Sequence, residues 1–211
     1  MSFTTDEQRL IHDAGLLFYR QWQPLKRTWL GHHISKYPTD LFHYQMILHE
    51  KRPDVVVETG TYRGGMTAFV CSMMDLIGHG EIISIDYREF DGRPQSPRIS
   101  YIVGRSTRDD VVDEVRRRVD GRSVMVLLDS THHSWHVKKE LWMYRHLVTP
   151  DQYMVVESTY LNGHPIKPDH GPGPMEAVQW FLAHDRRFVA DPLEEDFLFS
   201  KSPGGWLRRV K

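Results

Sequence analysis

The sequence holds a single cysteine, Cys71, among 211 residues. That excludes an intrachain disulfide and fits a reducing, cytoplasmic setting. A surplus of either charge is also missing, with 27 Lys and Arg against 28 Asp and Glu. Nothing in that balance points to nucleic acid, and no acidic run forms a solvated tail. No apolar stretch approaches the roughly 20 residues that a membrane-spanning helix needs. The opening MSFTTDEQRLIHDAG carries acids where a secretory leader has its apolar core. Internal repeats, low-complexity tracts and long linkers are absent as well. A chain of this length reads as one domain over 1–211, with a helical segment over 1–52 packed on it.

What is present is alternation. Thr5 to Trp22 reads as a helix, and YPTDLFHYQMILHEK as a second one that Pro53 stops. From Val55 onward the apolar runs VVVET, EIISIDY, RISYIVGRS, VMVLLDS and QYMVVES read as strands, separated mostly by helical stretches. Cys71 falls in one of those helices and reads as core. The tail segments RFVADP, EDFLFSKS and GWLRRV read as short strands, with SPGG as a turn between the last two. Strands alternating with helices build βαβ units. The expected fold is therefore α/β: a mostly parallel sheet, helices on both faces, and a C-terminal antiparallel hairpin.

Ligands of such sheets sit at the carboxyl ends of the strands. There VVVETGTYRGG runs from a buried strand into a glycine-rich turn, and the helix start that follows favours an anion. Glu58, Gly60, Thr61, Tyr62, Gly64 and Gly65 are expected to form one side of a cofactor pocket. Asp86, at the end of the next strand, is placed to accept hydrogen bonds from ribose hydroxyls. Ser106, after the third strand, is expected near an adenine. The glycine spacing departs from G-x-G-x-x-G, which argues against a nicotinamide-dependent dehydrogenase. It favours S-adenosylmethionine, whose carboxylate meets the helix. A tight strand–helix turn without any ligand is the plain alternative.

LLDSTHHSWH ends the fourth strand and VVESTYLNG the fifth, so Asp129, Glu157 and Ser158 are expected side by side. Carboxylates gathered there repel unless a cation or a proton intervenes. Hard oxygen donors suit Mg²⁺ or another divalent cation. A hydroxyl bound to such a metal loses its proton more easily. His132 is placed to take that proton, making His132 and Asp129 the candidate catalytic residues, with Asp129 also expected at the cofactor. The alternatives are that Asp129 caps the next helix and that Glu157 is a buried acid paired with an arginine. The long loop over 159–173 is expected to form part of the acceptor pocket; His164 and His170 read as loop histidines, and His133 and His136 are weaker candidates, His136 reading as a packing or solvent-bound residue.

The segments WLGHHISKYPTDLFHYQ, ETGTYRGG, SIDYR, LLDSTHHSWHVKKEL, VTPDQYMVVES, NGHP, GPGPMEAV and PGGWLRRV occur in this order. Together, over Trp29 to Val210, they resemble the cephalosporin hydroxylase and rhamnosyl O-methyltransferase family. The resemblance implies a Rossmann-like class I methyltransferase fold and Mg²⁺-dependent transfer from S-adenosylmethionine to a sugar hydroxyl, in a glycolipid, polysaccharide or antibiotic. It places metal ligands at Asp129, Glu157 and Ser158, and a base at His132. One departure is plain: VES stands where the family usually has VED, so Ser158 offers only a neutral oxygen. A non-sugar antibiotic-type hydroxyl as acceptor, and cofactor binding without catalysis, are the alternatives. Trp22, Trp29, Tyr62 and Tyr160 suit either sugar stacking or ordinary packing, and the N-terminal helix offers an interface for a homo-oligomer.

Overall fold

The structure, a computed structural model, describes residues 3–211, and of Glu194 and Glu195 the backbone alone. Helix α1 (Thr5–Trp22) starts at Thr4, whose hydroxyl accepts from the Glu7 amide while the Glu7 carboxylate accepts from the Thr4 amide. A small hairpin of β1 (Thr28–Trp29) and β2 (His32–His33) leads into α2 (Pro38–Lys51). Two residues per strand are too few to alternate visibly, so the sequence gives no sign of this hairpin. The alternating part follows as β3 (Val55–Thr59), α3 (Gly65–Ile77), β4 (Glu81–Asp86), β5 (Ile99–Val103), α4 (Asp109–Val119), β6 (Val124–Leu128), α5 (Ser134–Tyr144), β7 (Tyr153–Val156) and α6 (Pro174–His184). The chain ends with β8 (Phe188–Ala190) and β9 (Trp206–Arg209). Among the described residues no helix is long and apolar enough to cross a membrane.

The seven-stranded sheet has the order β5-β4-β3-β6-β7-β9-β8. The first five of these strands run parallel, and β9 is antiparallel to both β7 and β8. The expected antiparallel C-terminal pair is present, but EDFLFSKS is not a strand. Leu193–Asp196 form a 3₁₀ turn, and Ser200 and Lys201 instead bond to Asp40 of α2. Strands β3 and β6 are buried at every position, as parallel central strands must be. Val111, Val115, Leu141 and Phe181 pack on one face of the sheet, and Tyr44, Leu48, Phe69 and Met74 on the other. Strand order reverses between β3 and β6, and in open sheets that reversal opens a crevice at the carboxyl ends.

The turn after β3 is shaped by what it must pass. Gly60 has φ +90°, and a Cβ there would come 2.2 Å from the Asp129 carbonyl oxygen. At Gly65 a Cβ would come 1.9 Å from the His33 carbonyl oxygen, and at Gly64 one would press on Pro94. Glu58 points inward instead of into the turn. It accepts from the Thr67 hydroxyl at 2.5 Å and the Ser84 hydroxyl at 2.5 Å. Burial pushes its carboxyl up to about 7, against the pull of those two hydroxyls and of Lys36.

Two stability effects follow. Gly65→Ala, which in an unhindered helix stabilises by up to about 1 kcal/mol, is expected here to destabilise by roughly 1–3 kcal/mol, because the contact is backbone against backbone. Urea unfolding reads the sign. Glu58 has its folded value raised from an ordinary 4.5 to about 7. Its contribution to stability is therefore complete below the ordinary value and lost as pH rises through the raised one. That loss is roughly 3 kcal/mol. Glu58→Gln is expected to abolish this part of the decline in unfolding free energy between about pH 4.5 and pH 8. Identical pH slopes in the two proteins would contradict the assignment.

Candidate active site

A cavity of about 450 Å³ opens at the carboxyl ends of β3, β4 and β6. That is the size of a small-molecule site. Gly60, Tyr62, Asp86, Ser106, Asp129 and His132 all line it, with Arg88, Phe90 and Lys201 beside them. Asp86 ends β4 and is nearly buried. Its carboxylate accepts from the Tyr62 amide at 2.7 Å, the Arg88 amide at 3.2 Å and the Arg93 guanidinium at 3.3 Å. A carboxylate has about four acceptor sites, so Asp86 keeps one for a ligand hydroxyl. Arg93 also donates to the carbonyls of Tyr62 at 2.9 Å and Arg88 at 3.0 Å, which clamps this end of the cavity. The Ser106 hydroxyl lies 3.4 Å from His136 Nε2.

Four residues expected at the cofactor do not line the cavity: Glu58, Thr61, Gly64 and Gly65. The alternation of β3 sends Glu58 into the layer between the sheet and α3, where Thr61 follows, its hydroxyl 2.6 Å from that of Ser84. Gly64 and Gly65 make room for Pro94 and His33.

Asp129 and Glu157 do meet at neighbouring strand ends, and a cation lies between them. That cation is Lys36. Its Nζ is 2.6 Å from Asp129 Oδ2 and 3.0 Å from Glu157 Oε1, with the lysine side chain only 3 % exposed. Burial works against the Lys36 charge, but Asp129 and Glu157 together raise its pKa above the ordinary lysine value. Burial likewise opposes ionisation of Asp129, yet Lys36 first, and then His132, hold its carboxyl well below the usual range. The remaining oxygens are also engaged. Glu157 Oε1 accepts from the Tyr44 hydroxyl and Oε2 from the Ser202 hydroxyl at 3.0 Å, while Asp129 Oδ1 lies 3.3 Å from His132 Nε2.

The expected metal ligands therefore do not form an open metal centre. Among the described residues no three His, Cys, Asp or Glu side chains converge as a metal site would require. Ser158, at φ +61°, is buried with no hydrogen-bond partner for its hydroxyl. The arginine considered as a partner for Glu157 is replaced by a lysine. Asp129 does not cap α5 either, since His133 occupies the N-cap position. Behind the pair, Asp40 accepts from the Ser200 hydroxyl at 2.5 Å and the Lys201 amide at 3.0 Å. Burial, and then Glu157, push the Asp40 carboxyl up to about 7.

The loop over 159–173 is pinned to the rest of the chain. Tyr160, Leu161 and Ile166 pack with Leu16 and Tyr19 of α1. Asn162 and His164 reach Glu176 at 2.8 Å and 3.0 Å, and His170 stacks against His133. The loop walls a second, mostly apolar cavity of about 380 Å³, with Ile11, Tyr37, Pro165 and Phe199 among its lining. Segments 35–37 and 200–201 contribute to both cavities and so separate them. Of the aromatics considered for stacking, Tyr62 lines the first cavity and Tyr160 the second. Trp22 packs on Phe18 and Tyr37, and Trp29 donates to the Ser72 hydroxyl at 2.9 Å.

Residues 22–210 match the family described as Rhamnosyl O-methyltransferase/CmcI. The Rhamnosyl O-methyltransferase of Mycobacterium leprae is 33% identical over 193 residues, which is 86% of this chain and 82% of that protein. Its counterpart in Mycobacterium tuberculosis is 31% identical over 194 residues, 87% of this chain and 78% of the other. Among solved structures, CmcI with Mg and SAM aligns at TM-score 0.66 and 21% identity, over 88% of this chain and 77% of that one. The O-methyltransferase TomG from Streptomyces achromogenes, with SAM, aligns at TM-score 0.59 and 17% identity, over 75% and 74%. The structural likenesses carry the fold, and the sequence match carries the family. The chain belongs to the rhamnosyl O-methyltransferase/CmcI family and is an S-adenosylmethionine-dependent O-methyltransferase.

Proposed function

We propose that this chain methylates a hydroxyl of a sugar, with S-adenosylmethionine held in the cavity between Asp86 and Asp129. The observation that carries this reading is that the Asp129–His132 pair opens into the same cavity as Asp86. The sugar assignment draws on the Rhamnosyl O-methyltransferase relatives of Mycobacterium. Bound S-adenosylmethionine supplies a sulfonium methyl group, which an acceptor oxygen takes as the carbon–sulfur bond breaks. A cytoplasmic location belongs to the same proposal, in keeping with the one free, buried thiol of Cys71.

The chain's own residues divide the work. Asp86 has its one open acceptor site for a ribose hydroxyl, and Tyr62 and Phe90 offer aromatic surface on the cavity wall. His132 Nε2–H donates to Asp129, which leaves Nδ1 to accept the proton of the attacking hydroxyl. The imidazolium so formed rests against a carboxylate that Lys36 keeps ionised. Holding hydroxyl and methyl in line removes part of the orientational barrier. Lys36 fills the place between the two carboxylates. The apolar cavity beyond Tyr37 and Tyr160 suits the non-sugar part of a glycosylated acceptor.

Transfer of labelled methyl from S-adenosylmethionine to a panel of saccharides and glycosides tests the reading. No transfer to any of them, together with no binding of S-adenosylhomocysteine, would overturn it. Asp86→Ala is expected to weaken S-adenosylhomocysteine binding about 10-fold or more by calorimetry, the loss of a hydrogen bond to a charged group. His132→Ala is expected to lower kcat by roughly 10²–10⁴ while leaving that affinity within about threefold.

A further inference from the structure

We propose that the Lys36 ammonium takes the place of a divalent cation at this site, so that the chain works with the Asp129–Glu157 pair closed to metal. The inference rests on reading the neighbouring cavity as the S-adenosylmethionine site.

The oxygens themselves argue for it. Mg²⁺ needs near-octahedral oxygen ligands at about 2.0–2.1 Å and keeps several waters. Here Lys36 already bridges the two carboxylates, and Tyr44, Ser202 and His132 take further acceptor sites on them. An ammonium is a compact cation with three rotatable donors. Two of those donors are accounted for by Asp129 at 2.6 Å and Glu157 at 3.0 Å. The third expected ligand, Ser158, brings no charge. Its left-handed backbone is one that aspartate tolerates, so the conformation does not dictate a neutral residue.

Charge balance leads to the same place. Asp40, Asp129 and Glu157 stand against two buried lysines, Lys36 and Lys201, the second anchored on the Ser35 carbonyl at 2.7 Å. With the Asp40 carboxyl pushed up to about 7, the group carries between zero and one net negative charge near neutral pH. A divalent ion added to that group would make it net positive, beside two lysines that are themselves buried. Displacing Lys36 to admit the ion would strand an ammonium that is 3 % exposed.

Calorimetry and thermal unfolding with MgCl₂ test the proposal on the intact chain. Wild type is expected to give no saturable Mg²⁺ heat at millimolar concentration, with or without S-adenosylhomocysteine, and an unfolding midpoint indifferent to EDTA. Lys36→Ala leaves a buried Glu157 and a partly exposed Asp129 without a cation between them. Its midpoint is expected to fall by on the order of 10 °C and to recover partly with Mg²⁺. Saturable Mg²⁺ binding to wild type that Asp129→Asn abolishes would overturn the proposal. So would a Lys36→Ala protein as stable as wild type. Binding that survives Asp129→Asn lies elsewhere and leaves the pair closed, as proposed. If Lys36→Ala fails to fold, the wild-type titration decides alone. S-adenosylhomocysteine heat in the same cell keeps the two readings apart: its absence removes the cofactor assignment and leaves the metal result standing.

Discussion

Two carboxylates held side by side, Glu157 buried and Asp129 facing a cavity, need a positive charge between them, and much of this molecule's functional end is arranged around that need. Removing one partner from a buried ionic group typically costs about 3–5 kcal/mol, because the other is left uncompensated. Lys36 is therefore more than a local contact. It ties the segment before α2 to the ends of β6 and β7. Tyr44 of α2 and Ser202 of the C-terminal segment close the remaining oxygens of Glu157. Stretches far apart in the chain converge on one charged cluster, and Ser35 and Lys201 of those stretches line one cavity while Tyr37 and Ser200 line the other.

The same cluster sets the chemistry that the site offers. In the proposed reaction an ionised Asp129 would orient His132, 3.3 Å away, and stabilise the charge that the imidazole gains when it takes a proton. Asp86, at the far end of the cavity, is held by Tyr62, Arg88 and Arg93 with one acceptor site left open. A donor recognised at one end and an acceptor deprotonated at the other is the geometry that a group transfer requires.

The fold was largely legible because its signals are local. Buried strands such as VVVET and VMVLL, glycine stops and helix-period valines in DDVVDEVRRRV are read within a few residues of one another. The strand ends then followed from the alternation, which is why Asp86, Ser106, Asp129 and His132 fall together on one cavity. What stayed hidden is of two kinds. Long-range partners carry no spacing signal: Lys36 lies 93 residues from Asp129, and Arg93 sits in a loop without period. Direction within a tight turn is also unreadable. The glycines of ETGTYRGG serve close passage of the protein's own backbone, and Glu58 turns into the core to meet Thr67 and Ser84. The tail departs for a related reason: FLFS alternates like a strand, but the Ser200 hydroxyl and the Lys201 amide that follows it bond to Asp40.

The most direct measurement of the account is a crystal structure of the chain with S-adenosylhomocysteine, grown in the presence of Mg²⁺. Ribose hydroxyls are expected on Asp86, the sulfur turned toward Asp129 and His132, and Lys36 Nζ still bridging Asp129 and Glu157. A nucleoside bound away from Asp86, or a hydrated metal between the two carboxylates with Lys36 swung out, would contradict it.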